Sequence, residues 1–216
     1  MKLYLAPMEA LTGYIFRNVY NRYFGDADRY FTPFIASRKL NSKEKNDVLP
    51  EHNQNMDVIP QILTNKSEEF CYIASRLKEY YGYEEVNLNL GCPSGTVVAK
   101  NRGSGFLAVP DELNRFFEEV FSRTDVRISV KTRTGVENNE NWENILKIYN
   151  DYPISELIIH PRCRKDGYGG KPNLEDFKKA VLISRHSLCY NGDINSVEDY
   201  NAITKEFPTV DKIMCG

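Results

Sequence analysis

The chain has 216 residues, a formal net charge of −2, 41% hydrophobic and 27% charged residues, the composition of an ordinary globular protein. That length supports one large core, and a single α/β barrel can take all of it. No window approaches 18 uninterrupted apolar residues, which argues against a helical membrane span. The charge balance excludes a global basic field, so a polyanion could be met only by a local patch.

The N-terminal apolar stretch is too short for a secretory signal and ends at Pro7, so the protein is expected in the cytoplasm. Five cysteines (Cys71, Cys92, Cys163, Cys189, Cys215) are scattered without CxxC spacing. An odd, dispersed set argues against a disulfide framework and against a zinc site, and no metal is expected.

Two periodicities alternate along the chain. Short β-rich runs fall at Lys2–Ala6, Arg29–Phe34, Val58–Leu63, Glu85–Leu90, Arg127–Thr132, Glu156–His160, Leu188–Asn191 and Val210–Cys215. Helical stripes separate most of them. Ile15, Phe16, Val19, Tyr20 and Tyr23 make the first. Phe70, Ile73, Ala74, Leu77 and Tyr81 make the next, with Ser67 as the expected N-cap and Gly82 past its end. Leu113, Phe116, Phe117, Val120 and Phe121 follow Pro110, a residue suited to the first helical position. Trp142, Ile145, Leu146 and Tyr149 make another stripe. Leu174, Phe177, Ala180 and Val181 follow a cap at Asn173, and Val197, Tyr200 and Ile203 a cap at Ser196. The segment Ser37–Asn55 is polar and reads as a solvated excursion with at most a short helix.

Eight alternating βα units predict a parallel, closed (β/α)8 TIM barrel over residues 1–216. An open doubly wound sheet is the competitor, but Ala6-Pro7-Met8-Glu9 stands where a GxGxxG turn would follow its first strand. The chain stops at Gly216, after the eighth strand. It is therefore expected to be a barrel shortened at its C-terminus, without the last helix.

The predicted strand ends carry Pro7-Met8-Glu9, Gln61, Asn87 and Asn89 with Cys92, Lys131 with Arg133, His160 with Arg162, Asn191-Gly192-Asp193, and Cys215-Gly216. Each alone has a bland reading as a solvated or packed residue. Together they are too polar for packing, and in a barrel they share the face that bears active sites. The run Val86–Ser94 is central, because a strand that stops at Gly91 and Pro93 puts the Cys92 thiol on the rim.

In this order and context the chain resembles the tRNA-dihydrouridine synthase family. The resemblance rests on Ala6-Pro7-Met8 with Thr12 and Phe16-Arg17, Pro60-Gln61, Asn89-Leu90-Gly91-Cys92-Pro93 with Gly103 and Gly105, and Val130-Lys131-Thr132-Arg133. It continues through His160-Pro161-Arg162 with Tyr168 and Gly170, Asn191-Gly192-Asp193, and Met214-Cys215-Gly216. It implies an FMN-binding barrel that reduces the C5=C6 bond of uridine in tRNA, with NADPH as the expected electron donor and NADH left open.

The resemblance also implies the site. Pro7, Met8, Glu9, Gln61, Lys131 and His160 face the flavin ring; Asn191, Gly192, Asp193 and Gly216 hold the ribityl-phosphate end; Cys92 is the proton donor. Asn87, Asn89, Arg133 and Arg162 are expected at the substrate. A free thiol titrates at about 8.5 and is largely protonated near neutrality, so it can act as an acid. A target base within folded RNA must be extruded to reach such a site. Lys100, Arg102, Arg133, Arg162, Arg164 and Lys165 are candidate phosphate guides, Arg133 and Arg162 ahead of Lys100 and Lys165.

The chain departs from the family pattern at Ala10-Leu11-Thr12-Gly13, where many members have Gly-x-Thr-Asp, and at Cys163-Arg164-Lys165-Asp166. The resemblance implies a phosphate-binding Arg after Gly216, a closing helix and a C-terminal helical domain, none of which these 216 residues include, so this segment is expected to hold FMN weakly and tRNA poorly. Competing readings are an FMN barrel acting on a dihydropyrimidine or dihydroorotate, an inactive fragment, and a cofactor-free phosphate-sugar lyase.

Overall fold

The computed structural model describes residues 1–216. Its strands are β1 (Lys2–Leu5), β2 (Arg29–Phe31), β3 (Val58–Ile59), β4 (Gln61–Ile62), β5 (Glu85–Leu90), β6 (Arg127–Gly135), β7 (Glu156–Cys163), β8 (Ser187–Tyr190) and β9 (Lys212–Cys215). The helices are α1 (Tyr14–Tyr23), α2 (Ser42–Val48), α3 (Ser67–Tyr81), α4 (Gly95–Val98), α5 (Pro110–Phe121), α6 (Trp142–Asn150), α7 (Leu174–Ile183) and α8 (Val197–Glu206).

All pairings are parallel, and the first strand pairs with the last, Lys2 opposite Lys212 through Leu5 opposite Cys215. The order β3-β2-β1-β9-β8-β7-β6-β5-β4 begins and ends on two segments separated only by Pro60. Proline has no N–H to donate, so it divides one strand into two. Hydrogen bonds carry the sheet across the break: Thr32 N–H donates to the Ile59 carbonyl (3.1 Å), Asn87 N–H to Pro60 (2.9 Å) and Ile35 N–H to Gln61 (2.8 Å). The nine segments are thus eight barrel strands, as the alternating pattern predicts.

The two-residue period of each strand separates two environments. Val86, Leu88 and Leu90 of β5, Ile128 and Val130 of β6, and Leu157 and Ile159 of β7 point outward into a 35-residue core shared with the helices. Inside the barrel, Tyr4, Ala6, Phe31, Ile59, Ile158, Cys189 and Met214 form a small apolar layer. Below it lies a charged plug: Tyr4 and Lys212 meet Glu156 at 3.3 Å each, and Arg29 meets Glu85 at 3.1 Å. Above it, at the C-terminal strand ends, the interior turns polar.

Several local expectations are corrected. Lys66, not Ser67, precedes the first turn of α3, and the Ser67 hydroxyl bonds Glu119 instead. Strands β6 and β7 run three residues further than the apolar runs suggest, carrying Arg133 and Arg162 into the sheet. Leu174 and Val197 open α7 and α8 and are exposed. The α1 stripe is also displaced: Ile15, Val19 and Tyr23 are exposed, while Arg17 is fully buried. Phe16 and Tyr20 pack on Leu5, Tyr30 and Val58, and this orientation turns Arg17 toward residues 47–53.

The segment 37–55 is largely exposed and holds the one short helix expected, α2, but it is anchored at one end by buried residues. Asn41 and Glu44 form a reciprocal capping box that starts α2. Asp47, Val48 and Asn53 are buried. The Arg17 guanidinium donates to the carbonyls of Thr12 (2.9 Å) and Asp47 (2.7 Å) and to Asn53 Oδ1 (2.9 Å), with the Asp47 carboxylate 3.7 Å away. Asp47 Oδ1 also accepts the Tyr14 N–H at 2.6 Å. Gly13, the N-cap of α1, has no side chain to cap the helix. A carboxylate from α2, that of Asp47, does so instead.

Candidate active site

A cavity of about 580 Å³ opens at the C-terminal rim of the barrel. Every expected cofactor residue lines it: Pro7, Met8 and Glu9 from the β1–α1 loop, Gln61, Lys131, His160, Asn191, Gly192, Asp193 and Gly216. Cys92, Asn89, Arg133 and Arg162 line it too, and so does Tyr168. Asn87 does not. It is fully buried one layer deeper, so its expected place at the substrate is corrected.

The inward polar residues of β4 to β6 form one hydrogen-bonded chain. Asn87 Nδ2 donates to Ser129 Oγ (3.0 Å), Gln61 Nε2 to Asn87 Oδ1 (2.8 Å) and Asn89 Nδ2 to Gln61 Oε1 (2.7 Å). Asn89 Oδ1 then accepts the backbone N–H groups of Gly91 (3.0 Å) and Cys92 (2.9 Å). A local turn of this kind is what an Asn side chain two or three residues ahead of an N–H forms readily. On its other side, the Cys92 carbonyl accepts from Ser104 N–H (3.1 Å) and Ser104 Oγ (2.8 Å). Gly103 makes this approach possible: its φ is +54°, and a Cβ there would lie 2.9 Å from Cys92 Cβ. The half-buried thiol is therefore held from both sides. Ser104 carries no sequence signal beyond its place between two glycines.

The cations of the rim divide into two groups. Lys131 has no hydrogen-bond or ion-pair partner in the protein, and burial, reinforced by Arg133, pushes its ammonium down to about 8. Arg133 is buried and donates to the carbonyls of Gly91 (3.1 Å), Cys163 (2.9 Å) and Gly167 (2.8 Å), tying three rim loops together. Arg162 is held by the Asp193 carboxylate at 2.8 and 2.6 Å. Arg102 pairs with Glu69 (3.2 Å) and Arg164 with Glu137 (3.7 Å). Of the candidate phosphate guides, Arg133 and Arg162 are thus buried and bonded within the protein, whereas Lys100 and Lys165 are exposed. A guanidinium presents five donors in a fixed fork and suits carbonyl clamps, so burial of Arg133 and Arg162 has a structural cause.

Asp193 was expected at a phosphate. A carboxylate would repel that group, and here it anchors Arg162, which in turn holds it below the usual carboxylate range. The anion-ready groups nearby are backbone amides. The N–H groups of Gly192, Asp193 and Gly216 have no partner within the protein. A Cβ at Gly216 would come within 2.5 Å of Ala6 Cβ, so only glycine lets the last strand end approach β1 so closely.

All five cysteines are free thiols, and no cluster of three or more His, Cys, Asp or Glu side chains is placed to hold a metal ion. No helix is long and apolar enough to cross a membrane.

The fold and this cavity define a (β/α)8 barrel with a polar, cationic site at the C-terminal rim, and the comparisons with known proteins agree. The family model described as dihydrouridine synthase (Dus) matches residues 4–216, and the chain belongs to that family. Among curated relatives, tRNA-dihydrouridine synthase B of Pasteurella multocida is 27% identical over 217 residues, covering 100% of this chain and 64% of that protein. Probable tRNA-dihydrouridine synthase 1 of Synechocystis is 26% identical over 212 residues, covering 98% of this chain and 59% of the relative. The chain thus spans about 60% of the length of these relatives.

Solved structures with the same fold include a variant of NCR from Zymomonas mobilis (TM-score 0.66, 14% identity, covering 100% of this chain and 81% of that one). Morphinone reductase in complex with tetrahydroNAD is another (TM-score 0.64, 12% identity, 100% and 82% covered).

Proposed function

We propose that this chain is the catalytic barrel of an FMN-dependent enzyme that reduces the C5=C6 bond of uridine in tRNA to 5,6-dihydrouridine, with NADPH as electron donor. The observation that carries the reading is the meeting, in one cavity, of a clamped thiol, a half-buried unpaired cation and a set of free backbone amides. Membership of the dihydrouridine synthase family supplies the reaction class.

The residues fit a flavin mononucleotide. The free N–H groups of Gly192, Asp193 and Gly216 suit a phosphate, which barrels bind after their seventh and eighth strands. Lys131 suits the pole of a ring that gains negative charge on reduction. Gln61 has one amide hydrogen left after its bond to Asn87, and it lines the cavity beside Lys131. Bound and reduced, the flavin supplies the hydride that saturates C6.

The protein's own residues do the rest. Cys92 delivers the proton to C5 from the rim, and Asn89 and Ser104 keep its backbone from shifting. Lys131 and His160 stabilise charge on the bound ring systems. Arg133 keeps the β5, β6 and β7 loops in register around the opening. Exposed Tyr168, over which the Arg133 guanidinium lies at 5.5 Å, offers a flat face at the mouth where an extruded base would enter.

The test is a visible spectrum of the purified chain titrated with FMN, followed by incubation with NADPH and unmodified tRNA. Cys92→Ala should keep the flavin spectrum and lose most dihydrouridine formation. Normal turnover by that variant would remove Cys92 from the chemistry. Turnover of free uracil or dihydroorotate without RNA would instead favour a small-molecule oxidoreductase.

A further inference from the structure

We infer that Asp193 and Arg162 are positioning residues that fix His160 as a neutral imidazole with its proton on Nδ1, so that His160 offers the cavity a hydrogen-bond donor and not an acid. The inference deepens the proposed function, because it assigns the protonation of one wall of that same site.

Arg162 Nη1 lies 2.9 Å from His160 Nε2 and 2.8 Å from Asp193 Oδ1. Nη2 reaches Asp193 Oδ2 at 2.6 Å and also meets the carbonyl of Gly170. The four terminal guanidinium hydrogens therefore have four acceptors. A guanidinium stays protonated in proteins and only donates, so Nε2 must be the acceptor in its contact with Arg162. A ring whose Nε2 lone pair is engaged, and which is neutral, carries its hydrogen on Nδ1. That nitrogen has no partner within the protein, and His160 lines the cavity.

The charges around the ring point the same way. Lys131, Arg133 and Arg162 face it, with Asp193 the opposing carboxylate, and burial together with those cations pushes the imidazole down to about 3. A second proton on the ring would have to displace the Arg162 contact and sit among three cations. The ligand atom that meets His160 is then an acceptor, such as a carbonyl oxygen or an unprotonated ring nitrogen. The proton for carbon must then come from another group of the cavity, the part proposed above for Cys92.

The bidentate fork explains why the pair is Arg with Asp. A lysine could reach either the carboxylate or the imidazole, but as a point charge it cannot hold both in one plane. The Arg162 Nε is buried without a partner, so the side chain is placed by its outer hydrogens alone.

The experiment is nitrogen-15 NMR of the full chain labelled at histidine, without flavin or RNA, from pH 5 to 8. His160→Gln assigns its signals against His52 and His186. The expected result is a protonated Nδ1, an unprotonated Nε2 and no titration of His160 across that range. A protonated Nε2, or an ordinary midpoint near 6.5, in the wild-type chain would overturn the inference. Arg162→Met should abolish the single tautomer, because Nε2 loses its donor, while burial with Lys131 and Arg133 keeps the ring neutral across the range. The double variant Arg162→Met with Asp193→Asn should do the same without leaving a lone carboxylate. An unchanged single tautomer in both variants would also overturn the assignment. The readout needs no turnover, so failure of uridine reduction and failure of this assignment are distinguishable.

Discussion

The side-chain oxygen of Asn89 accepts the backbone N–H of Cys92 at 2.9 Å, while the amide nitrogen of the same side chain donates to Gln61 at 2.7 Å. One residue thus links the thiol loop to the polar chain on the barrel floor. The two halves of the site, thiol and amide row, share a reference point and move together or not at all.

Asn89→Ala should therefore separate thiol placement from thiol chemistry. Two backbone N–H groups and the Gln61 carbonyl oxygen lose their partner, which costs about 1–3 kcal/mol per unsatisfied buried group. Turnover should fall at least about 100-fold, as a misplaced reacting group implies, while Cys92 still reacts with a thiol reagent. Denaturant unfolding and single-turnover reduction of uridine measure the two effects. Wild-type turnover in this variant would show that the clamp does not matter.

Lys131 makes a pH prediction. Its ammonium titrates at about 8 in the folded chain because burial disfavours the charge, against about 10.4 when unfolded. Between these values the unfolded chain holds a proton that the folded one has released, so this group makes stability rise with pH across that window. At pH 7 the buried charge is destabilising in full. Lys131→Met should raise stability at pH 7 by about 0.5–2 kcal/mol, as removal of functional-site strain commonly does. The gain should shrink as pH rises past about 8 and vanish only well above about 10.4, where the unfolded lysine is neutral too. Thermal denaturation at pH 7 and pH 10 checks the sign, and the same variant should bind FMN more weakly.

Asp47 lies outside the cavity and anchors α1. Asp47→Ala removes the cap on Tyr14 and leaves buried Arg17 without its carboxylate. Breaking a buried pair from one side costs about 3–5 kcal/mol. Asp47→Ala with Arg17→Met should recover much of that loss, since no lone charge remains. A double variant no more stable than the single one would show that the backbone contacts of Arg17 carry the effect.

Gly103→Ala is the sharpest test of the thiol loop. The residue has a left-handed φ of +54°, and its new methyl would meet Cys92 Cβ and the Cys92 carbonyl at 2.9 Å. The conformation alone costs about 1–2 kcal/mol in a residue with a Cβ. The fold should survive with a lower melting temperature, and turnover should drop more than flavin affinity. An equal loss in both would mean that the loop also supports the cofactor.

The sequence by itself determined the barrel. Alternating two-residue and helical periods place Val86, Leu88 and Leu90 outward and Asn87 and Asn89 inward without any tertiary information, because the pleat enforces it. It also placed the cavity wall from Pro7 to Gly216, since barrel strands converge on one rim. What it could not decide is which polar groups are free. Arg133, Arg162 and Asp193 look like ligand contacts in one dimension, yet each is satisfied by a partner from a different loop. The polar stretch around Asp47 looked solvated because its partners, Arg17 and Tyr14, stand about thirty residues earlier. Hydrogen-bond satisfaction depends on which chain segments the closed sheet brings together, and only the folded chain reveals that a buried charge has been answered.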